Sequence, residues 1–152
     1  MSEQRVRVPV NKLVNFMQVA LEAMGVPAED AKIVSDVVIT SDLWGIASHG
    51  IAHLKMYHER MKAGLQIPIT RWSVVKDTPT TAVVDGSNGM GMVVGYNAMK
   101  IAIEKARQYG LGAVAVRNSS HYGVAGYYPR MALSEGMVGL SMTNAHPAIA
   151  PT

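Results

Sequence analysis

The sequence predicts an α/β fold that begins with a subdomain of three helices. Up to about residue 65, apolar residues recur at helical spacing in three segments, which short Gly and Pro breaks separate. From residue 66 onward, β-branched runs alternate with amphipathic helical segments, the pattern of an α/β domain. We therefore divide the chain into a helical subdomain, residues 1–65, and the first part of an α/β domain, residues 66–152.

The three N-terminal helices are predicted from their spacing and their ends. The first helix has its apolar residues on one side and ends at Gly25. The second opens with Pro27, a residue favoured at a helix start, and carries acidic residues in its first turn. The third runs through "HGIAHLKMYHERMKAG" and ends at Gly64. The apolar residues of the first helix are Leu13, Val14, Met17, Leu21 and Met24.

The remaining elements follow in the order strand, strand, helix, strand, helix, strand. The runs "WSVVKD" and "TTAVVDG" predict a strand pair, and "GMVVGYNAMKIAIEKARQYG" predicts an amphipathic helix. The run "LGAVAVRN" predicts a buried strand. The stretch "VAGYYPRMALSEG" predicts a short helix with Pro129 near its start, and "MVGLSMTN" predicts a further strand.

Composition excludes several classes of protein. The chain has 152 residues, of which 49% are hydrophobic and 16% charged, so it can bury a core. Its net charge is +3 and its basic residues are scattered, which argues against a nucleic-acid partner. It has no cysteine, and therefore no disulfide or thiolate metal site. No apolar run reaches transmembrane length and the first residues lack the apolar core of a signal peptide, so we predict a cytoplasmic protein without a membrane partner.

The last residues, "SMTNAHPAIAPT", read as a strand followed by a Pro-rich exit. We expect the chain to be a fragment of a longer protein, because nothing there resembles a terminal helix or tail.

The glycine-rich stretch "DGSNGMGMVVG" allows two interpretations. Gly89, Gly91 and Gly95 lie between a strand and a helix, as in a nucleotide-binding loop. However, the next strand ends in Arg117 and Asn118, without an acidic residue for a ribose. The sequence therefore favours a turn that permits close backbone packing, and contact between its amides and a ligand is the alternative.

The stretch "SHGIAHLKMYH" places His49, His53 and Tyr57 on one face of the third helix. Two histidines at this spacing can bind zinc, but Gly50 stands where a metalloprotease needs its glutamate, and no third ligand is evident. We predict no metal site. Surface or interface histidines are one alternative. The other is an anion-binding corner at Ser48 and His49, where free N–H groups at a helix start suit a carboxylate.

The stretch "RNSSHYGVAGYY" places His121 just after the carboxyl end of a strand, where ligands gather in α/β sheets. Gly123 and Gly126 permit close backbone approach, and histidine is the most common general acid or base. At the end of the next strand, Thr143 and Asn144 can hydrogen-bond a cofactor or simply form a turn.

Taken together, the stretches "SDLWGIASHGIAHLKMY", "VVDGSNGMG", "AVRNSSHYGVAGYY" and "GMVGLSMTNAHPAIAP" resemble the malate/L-lactate dehydrogenase family of NAD(P)-dependent 2-hydroxyacid oxidoreductases. Relatives in this family include sulfolactate and ureidoglycolate dehydrogenases, and the resemblance covers the chain from Val10 onward. It implies a cofactor-binding α/β domain of non-Rossmann type, NAD or NADP as cofactor, and a homodimer. The implied substrate is a small 2-hydroxy acid such as malate or lactate.

The resemblance also implies roles for individual residues. His121 matches a residue assigned as acid/base in some members, and Ser48 and His49 match residues given a proton-relay or substrate role in others. Whether His121 or His49 moves the proton stays open, and we favour His121. The predicted catalytic residues are His121, His49 and Ser48; the predicted substrate residues are His53 and Tyr57; the predicted cofactor residues are His121, Gly123, Thr143, Asn144 and Ala145.

The chain departs from the family pattern at positions that bear on the substrate. Many members carry an arginine where this chain has His53, and imidazole lacks the two-pronged donor of a guanidinium. Met92 and His146 also differ from what the resemblance leads us to expect. Members of the family are longer, so the segment alone is expected to lack dehydrogenase activity. Two alternatives remain: a zinc-dependent hydrolase that uses His49 and His53, and a non-catalytic binding or assembly module.

Overall fold

The computed structural model of the chain describes residues 7–144 and confirms the α/β fold. Two short 3₁₀ turns, Ala47–His49 and Ile51–His53, precede the third helix. None of the helices in the described range is long and apolar enough to cross a bilayer. In chain order the elements are α1 (Val10–Ala23), α2 (Ala28–Leu43), α3 (Leu54–Lys62), β1 (Ser73–Asp77), β2 (Thr81–Asp85), α4 (Gly91–Tyr109), β3 (Ala113–Arg117) and α5 (Tyr127–Ser134).

The buried core joins the N-terminal helices to α4. It contains Met17 and Leu21 of α1, whose helical spacing the sequence shows, and both side chains are fully buried. The other members come mainly from α2 and from the start of α4. They are Val26, Ala31, Val34, Val37, Val38, Tyr57, Met90, Met92 and Val93. The core is thus continuous across residue 65. The division of the chain into two parts at this residue therefore stays a prediction that is based on the order of helices and strands.

The third predicted helix begins later than expected. Its first residues form the two 3₁₀ turns, and regular α-helix starts only at Leu54. The cause lies at Gly50, whose backbone is extended, with φ −87° and ψ −158°. A Cβ on Gly50 would lie 1.8 Å from Oδ1 of Asp42, and Oδ2 of Asp42 accepts a hydrogen bond of 2.8 Å from the N–H of Ile51. The Asp42 carboxylate therefore caps the second turn and interrupts the helix.

The sheet has the order β1-β2-β3. The predicted pair β1 and β2 is antiparallel, with Val74 opposite Val84 and an irregularity before Lys76. Strands β2 and β3 are parallel and are connected through α4, with Asp85 opposite Arg117. Because parallel strands end at the same edge of a sheet, the segments that follow β2 and β3 lie side by side.

The prediction that β3 is buried is wrong. Helix α4 packs against one face of the sheet, where Ala82 and Val84 of β2 are buried. The residues of β3 are exposed except for the half-buried Val114. The strand lies at the edge of the sheet, and no layer within residues 7–144 covers its other face.

The predicted strand "MVGLSMTN" is also wrong, since residues 137–144 form no strand. A Cβ on Gly139 would lie 2.5 Å from the Cα of Pro129, so this segment runs against α5. It pairs with no strand of the described range, and the side chains of Val138 and Leu140 are exposed. Apolar character without a pairing partner does not produce a strand.

Candidate functional site

The loop after β3 places His121 against α3. The Nδ1 atom of His121 lies 3.0 Å from the hydroxyl of Tyr57 and 3.4 Å from the N–H of Gly123. Tyr57 is fully buried, so its hydroxyl has a fixed position below the imidazole. The side chain of Tyr57 thus holds a histidine from inside the core, and its predicted contact with the substrate stays a prediction.

The three predicted histidines meet at this point. The ring centroid of His121 lies 5.0 Å from that of His53 and 5.7 Å from that of His49, in stacked orientations. The rings of His49 and His53 are 5.9 Å apart, and the Oγ of Ser48 is 3.0 Å from Nδ1 of His49. We call these five residues, Ser48, His49, His53, Tyr57 and His121, the histidine cluster. All the residues predicted as catalytic or substrate-binding thus lie together.

At the predicted anion-binding corner of Ser48 and His49, three neighbouring amides have internal acceptors. The N–H groups of His49 and Gly50 bond to the carbonyls of Ile46 and Ala47, and the N–H of Ile51 bonds to Asp42. These three amides are therefore not available to a carboxylate, and an anion at this corner stays a prediction that depends on other donors. Asp42 was missed because no local spacing rule connects a carboxylate to an amide nine residues later.

Burial disfavours the charged forms of three members of the cluster, His53, Tyr57 and His121. It lowers the pKa of His121 to about 4, and the neighbouring His53, His49 and Arg60 add to this by charge repulsion. Burial, and then His49, also lower the pKa of His53. The pKa of Tyr57 is raised by burial, so the phenol keeps its proton. At neutral pH, His121 is therefore an uncharged imidazole hydrogen-bonded to a phenol.

The partners of Nδ1 bear on which nitrogen of His121 carries the proton. The N–H of Gly123 can only donate, so its contact favours a proton on Nε2, but at 3.4 Å this bond is weak. The hydroxyl of Tyr57 can either donate or accept. When Tyr57 accepts from Nδ1–H, Nε2 has a free lone pair. Tyr57 thus supports both forms of the imidazole, as a group that takes up and releases protons requires.

The glycine-rich stretch packs against the loop that carries His121. The N–H of Gly91 donates to Oγ of Ser120 at 3.1 Å, and this hydroxyl donates to the carbonyl of Gly89 at 2.8 Å. A Cβ on Gly91 would lie 2.2 Å from the carbonyl oxygen of Ser120, and one on Gly95 would lie 2.9 Å from the ring of Tyr128. The interpretation as a turn for close backbone packing is confirmed.

The predicted cofactor residues fall into two groups. Gly123 has φ +77°, and a Cβ there would lie 2.6 Å from Cγ1 of Val37, so packing against α2 accounts for this glycine. Thr143 and Asn144 are exposed. A contact of 3.3 Å between the hydroxyls of Tyr122 and Ser141 ties their segment to the His121 loop. Ala145 lies outside the described residues, as does His146.

A charged group at the ends of β2 and β3 was missed. Oδ2 of Asp85 accepts hydrogen bonds of 2.9 Å from Nε of Arg117 and 2.8 Å from Nδ2 of Asn118. The N–H of Ser87, and then Asn118 and Arg117, lower the pKa of Asp85. The available signal was an acidic residue at the end of β2, in parallel register with Arg117. This carboxylate holds the start of the loop that leads to His121.

Arg60 was also missed as a site residue. It follows Tyr57 by three positions on α3, which places both on one helix face. Its buried Nε has no hydrogen-bond partner within residues 7–144, and Arg60 forms no ion pair there. Nδ1 of His53 is likewise buried without a partner in this range. The buried guanidinium N–H of Arg60 calls for an acceptor, and a bound anion would supply one.

The zinc-hydrolase alternative finds no ligand set. Within residues 7–144, no group of three or more His, Asp or Glu residues is placed to hold a metal ion. His49, His53 and His121 stack face to face at 5.0 to 5.9 Å between ring centroids. Stacked rings do not direct their nitrogens at a common point, as tetrahedral zinc requires.

Comparison with known proteins identifies the family. The family model described as malate/L-lactate dehydrogenase matches residues 8–152. The malate dehydrogenase of Pyrococcus abyssi is 51% identical over 150 residues, which cover 99% of this chain and 41% of that protein. The L-sulfolactate dehydrogenase of Methanocaldococcus jannaschii is 47% identical over 131 residues, covering 86% of this chain and 38% of the relative.

Solved structures agree with the sequence matches. The structure of malate dehydrogenase from Pyrococcus horikoshii superposes with a TM-score of 0.94 at 47% identity, covering 99% of this chain and 43% of that one. The chain thus spans about two fifths of the length of these relatives, 41% and 38% for the two curated ones above. The match over residues 8–152 takes in the histidine cluster, the glycine-rich stretch and the His121 loop. The chain belongs to the malate/L-lactate dehydrogenase family.

Proposed function

We propose that the chain is part of an NAD(P)-dependent dehydrogenase that interconverts a small 2-hydroxy acid, such as malate or lactate, and its 2-oxo acid. The observation that carries this proposal is the position of His121, bonded to Tyr57 and stacked on His53 after the carboxyl end of β3. The names of the relatives, which are malate, L-lactate and L-sulfolactate dehydrogenases, support the same class of reaction.

In this proposal His121 moves the proton. During oxidation, Nε2 accepts the proton of the substrate hydroxyl, and Nδ1–H donates to the oxygen of Tyr57, which stabilises the imidazolium that forms. During reduction, the imidazolium returns the proton to the ketone oxygen. A pKa of about 4 leaves His121 unprotonated at neutral pH, and therefore ready to act as a base.

The residues of the site fit a nicotinamide cofactor. The exposed hydroxyl of Thr143 and amide of Asn144 offer hydrogen bonds to a carboxamide, and their segment is tied to the His121 loop through Ser141. When bound, the oxidised nicotinamide would take the hydride from the substrate carbon. Either NAD or NADP fits these groups, and fluorescence titration of the full-length protein with NADH and NADPH distinguishes the two cofactors.

The substrate carboxylate requires a cation, and residue 53, where the family resemblance leads us to expect an arginine, is a histidine. Arg60 supplies a buried N–H without a partner in residues 7–144, on the α3 face that also carries Tyr57. His53, just before α3, has a buried ring nitrogen that is also without a partner in that range. The guanidinium keeps its charge at all relevant pH values. We therefore propose that Arg60, assisted by His53, attracts the carboxylate. An anion at this position would also raise the pKa of His121 toward neutrality.

The pH profile of the full-length enzyme tests the environment of His121. Since protonated His121 cannot accept a proton, kcat/KM for oxidation should fall as the pH drops through about 4, rather than near the ordinary pKa of 6.5. The corresponding limb in kcat should lie at higher pH, because the bound carboxylate favours the imidazolium. Steady-state assays across the acidic range measure both limbs. A limb near pH 6.5 in kcat/KM would contradict the buried environment of His121.

The variant His53→Arg tests how the carboxylate is held. A guanidinium at residue 53 can form two charge-assisted hydrogen bonds, each contributing about 1.5–3 kcal/mol. We expect KM for malate or lactate to fall more than kcat changes. Ala52→Arg, which adds the same charge at the neighbouring exposed residue, is the control. An unchanged KM for every 2-hydroxy acid assayed would show that residue 53 does not face the substrate.

Assays of the two chain lengths test the function itself. Because the 152 residues span only 41% of a malate dehydrogenase relative, we expect them to produce no NADH or NADPH from malate or lactate. The full-length protein should produce it steadily. Steady production by the 152-residue chain would contradict the first expectation. Failure of the full-length protein to bind either reduced cofactor would favour the non-catalytic assembly module.

We also propose a cytoplasmic homodimer. Phe16 and Val19 on α1 are each 57% exposed, and a partner surface would cover such large apolar side chains. The absence of cysteine suits a protein that needs no oxidising compartment. Light scattering of the full-length protein measures the oligomeric state, and cell fractionation measures the compartment.

A further inference from the structure

We infer that Ser120 is a positioning residue for His121, an inference that rests on the dehydrogenase function proposed above. Ser120 directly precedes His121 and is half-buried. Its hydroxyl joins the His121 loop to the glycine-rich stretch at the start of α4.

The hydroxyl of Ser120 makes two bonds with opposite roles. It accepts from the N–H of Gly91 at 3.1 Å and donates to the carbonyl of Gly89 at 2.8 Å. The N–H of Gly91 belongs to the first residue of α4 and therefore has no acceptor within the helix. The Ser120 hydroxyl thus binds both the N–H of Gly91 and the carbonyl of Gly89. It fixes the distance between this turn and the backbone of residue 120.

Close packing makes this connection rigid. A Cβ on Gly91 would lie 2.2 Å from the carbonyl oxygen of Ser120 and 2.6 Å from that of His121, so the two backbones are in direct contact. Further back, the N–H of Asn88 donates to the carbonyl of Asn118 at 2.8 Å. The N–H of Gly86 donates to the carbonyl of Arg117 at 2.9 Å, so the backbone before His121 is bound to the glycine-rich stretch at two positions besides Ser120.

The two ends of His121 are held by different parts of the fold. Tyr57 on α3 holds the imidazole through Nδ1, whereas Ser120 holds the backbone against α4. If loss of the Ser120 bonds releases the backbone of the His121 loop, the single bond to Tyr57 cannot maintain both the position and the orientation of Nε2 of His121. Misplacement of a reacting group by about 1 Å can lower a rate about 10²-fold.

The neighbouring serine provides a matched control. Ser119 is exposed, and no hydrogen bond to its side chain is found within residues 7–144. The test variants in the full-length protein are Ser120→Ala, which removes both bonds, and Ser120→Cys, which keeps one polar side-chain atom at this position and weakens both bonds. The control is Ser119→Ala.

We expect Ser120→Ala to lower kcat for oxidation about 10- to 100-fold with little change in KM. Ser120→Cys should lower kcat by a smaller factor, and Ser119→Ala should leave kcat unchanged. NMR titration of the histidines gives a readout independent of activity. A loosened ring gains water and moves away from His53, His49 and Arg60, so the pKa of His121 should rise from about 4 toward its ordinary 6.5 in the Ser120 variants alone. The signal of His121 is assigned as the one that is missing from the spectrum of the His121→Gln variant.

The two readouts separate failure of this inference from failure of the proposed function. If the full-length protein oxidises no 2-hydroxy acid, the dehydrogenase proposal fails, and the titration still decides whether Ser120 sets the surroundings of His121. If both Ser120 variants keep the parent kcat and the parent pKa of His121, the positioning role is excluded. If Ser120→Ala does not fold, Ser120→Cys decides by the same two measurements.

Discussion

The variant His121→Ala in the full-length enzyme is expected to lower kcat by about 10²- to 10⁴-fold, the usual contribution of a general acid or base. Binding of NADH or NADPH should stay nearly intact, since the hydroxyl and amide at Thr143 and Asn144 are unchanged. The acidic limb of kcat/KM should also disappear, because the group that titrates is removed. Stopped-flow and steady-state assays over pH measure all three quantities.

Two histidine controls accompany this variant. The side chain of His58 is exposed on α3, and within residues 7–144 no hydrogen bond or ring contact joins it to the histidine cluster, so His58→Ala should leave kcat unchanged. His49 stacks on His121 but bonds through Nδ1 to Ser48, and His49→Ala should mainly raise KM. If His49→Ala instead removes the acidic limb while His121→Ala only weakens cofactor binding, the roles are reversed. Ser48 and His49 would then form the proton relay.

The sequence identified the individual residues of the cluster but not the way in which they meet. Tyr57 and His121 are 64 residues apart, and their contact depends on how α3 packs beside the loop after β3. Helical spacing placed His53 and Tyr57 on one face of the third predicted helix. The same face contains Arg60, because the three residues follow one another at i, i+4 and i+7. Periodicity shows which residues share a face, but it does not show what that face contacts.

Local signals predicted the helices well because their ends are determined nearby. Gly110 directly follows α4, and Gly25 lies two residues after the end of α1. They take left-handed φ values of +81° and +88°, a conformation that glycine adopts at no steric cost. The late start of α3 was not predictable in this way. It depends on the Asp42 carboxylate, which reaches forward to the N–H of Ile51.

The errors in the strands have a common cause. Burial of β3 and pairing of residues 137–144 both depend on neighbouring layers, which an apolar run does not specify by itself. In the described range only α4 covers the sheet, and no strand pairs with the segment after α5. The apolar composition of these two segments indicated that they tend to be buried. Whether each is buried depends on which layers of the fold lie beside it.

The contact between Gly91 and the His121 loop leads to the second large effect. By helix propensity alone, alanine at the first residue of α4 would stabilise the protein by up to about 1 kcal/mol. Its Cβ, however, would lie 2.2 Å from the oxygen of Ser120 and 2.6 Å from that of His121. Both obstacles are backbone atoms, so the loop has to move as a unit. We therefore expect Gly91→Ala to destabilise the full-length protein, by about 1–3 kcal/mol or more.

The variant Gly110→Ala separates this clash from the general effect of replacing a glycine. Gly110 has φ +81°, and a Cβ added there would meet no atom of residues 7–144 within 4 Å, so alanine costs only the strain of the left-handed conformation, about 1–2 kcal/mol. The loop that carries His121 would not move in this variant, and kcat should stay at the parent value. In Gly91→Ala the displaced loop shifts His121 away from Tyr57, so kcat should fall together with the urea midpoint. A Gly91→Ala protein as stable and as active as the parent would show that the glycine-rich stretch does not hold the catalytic loop.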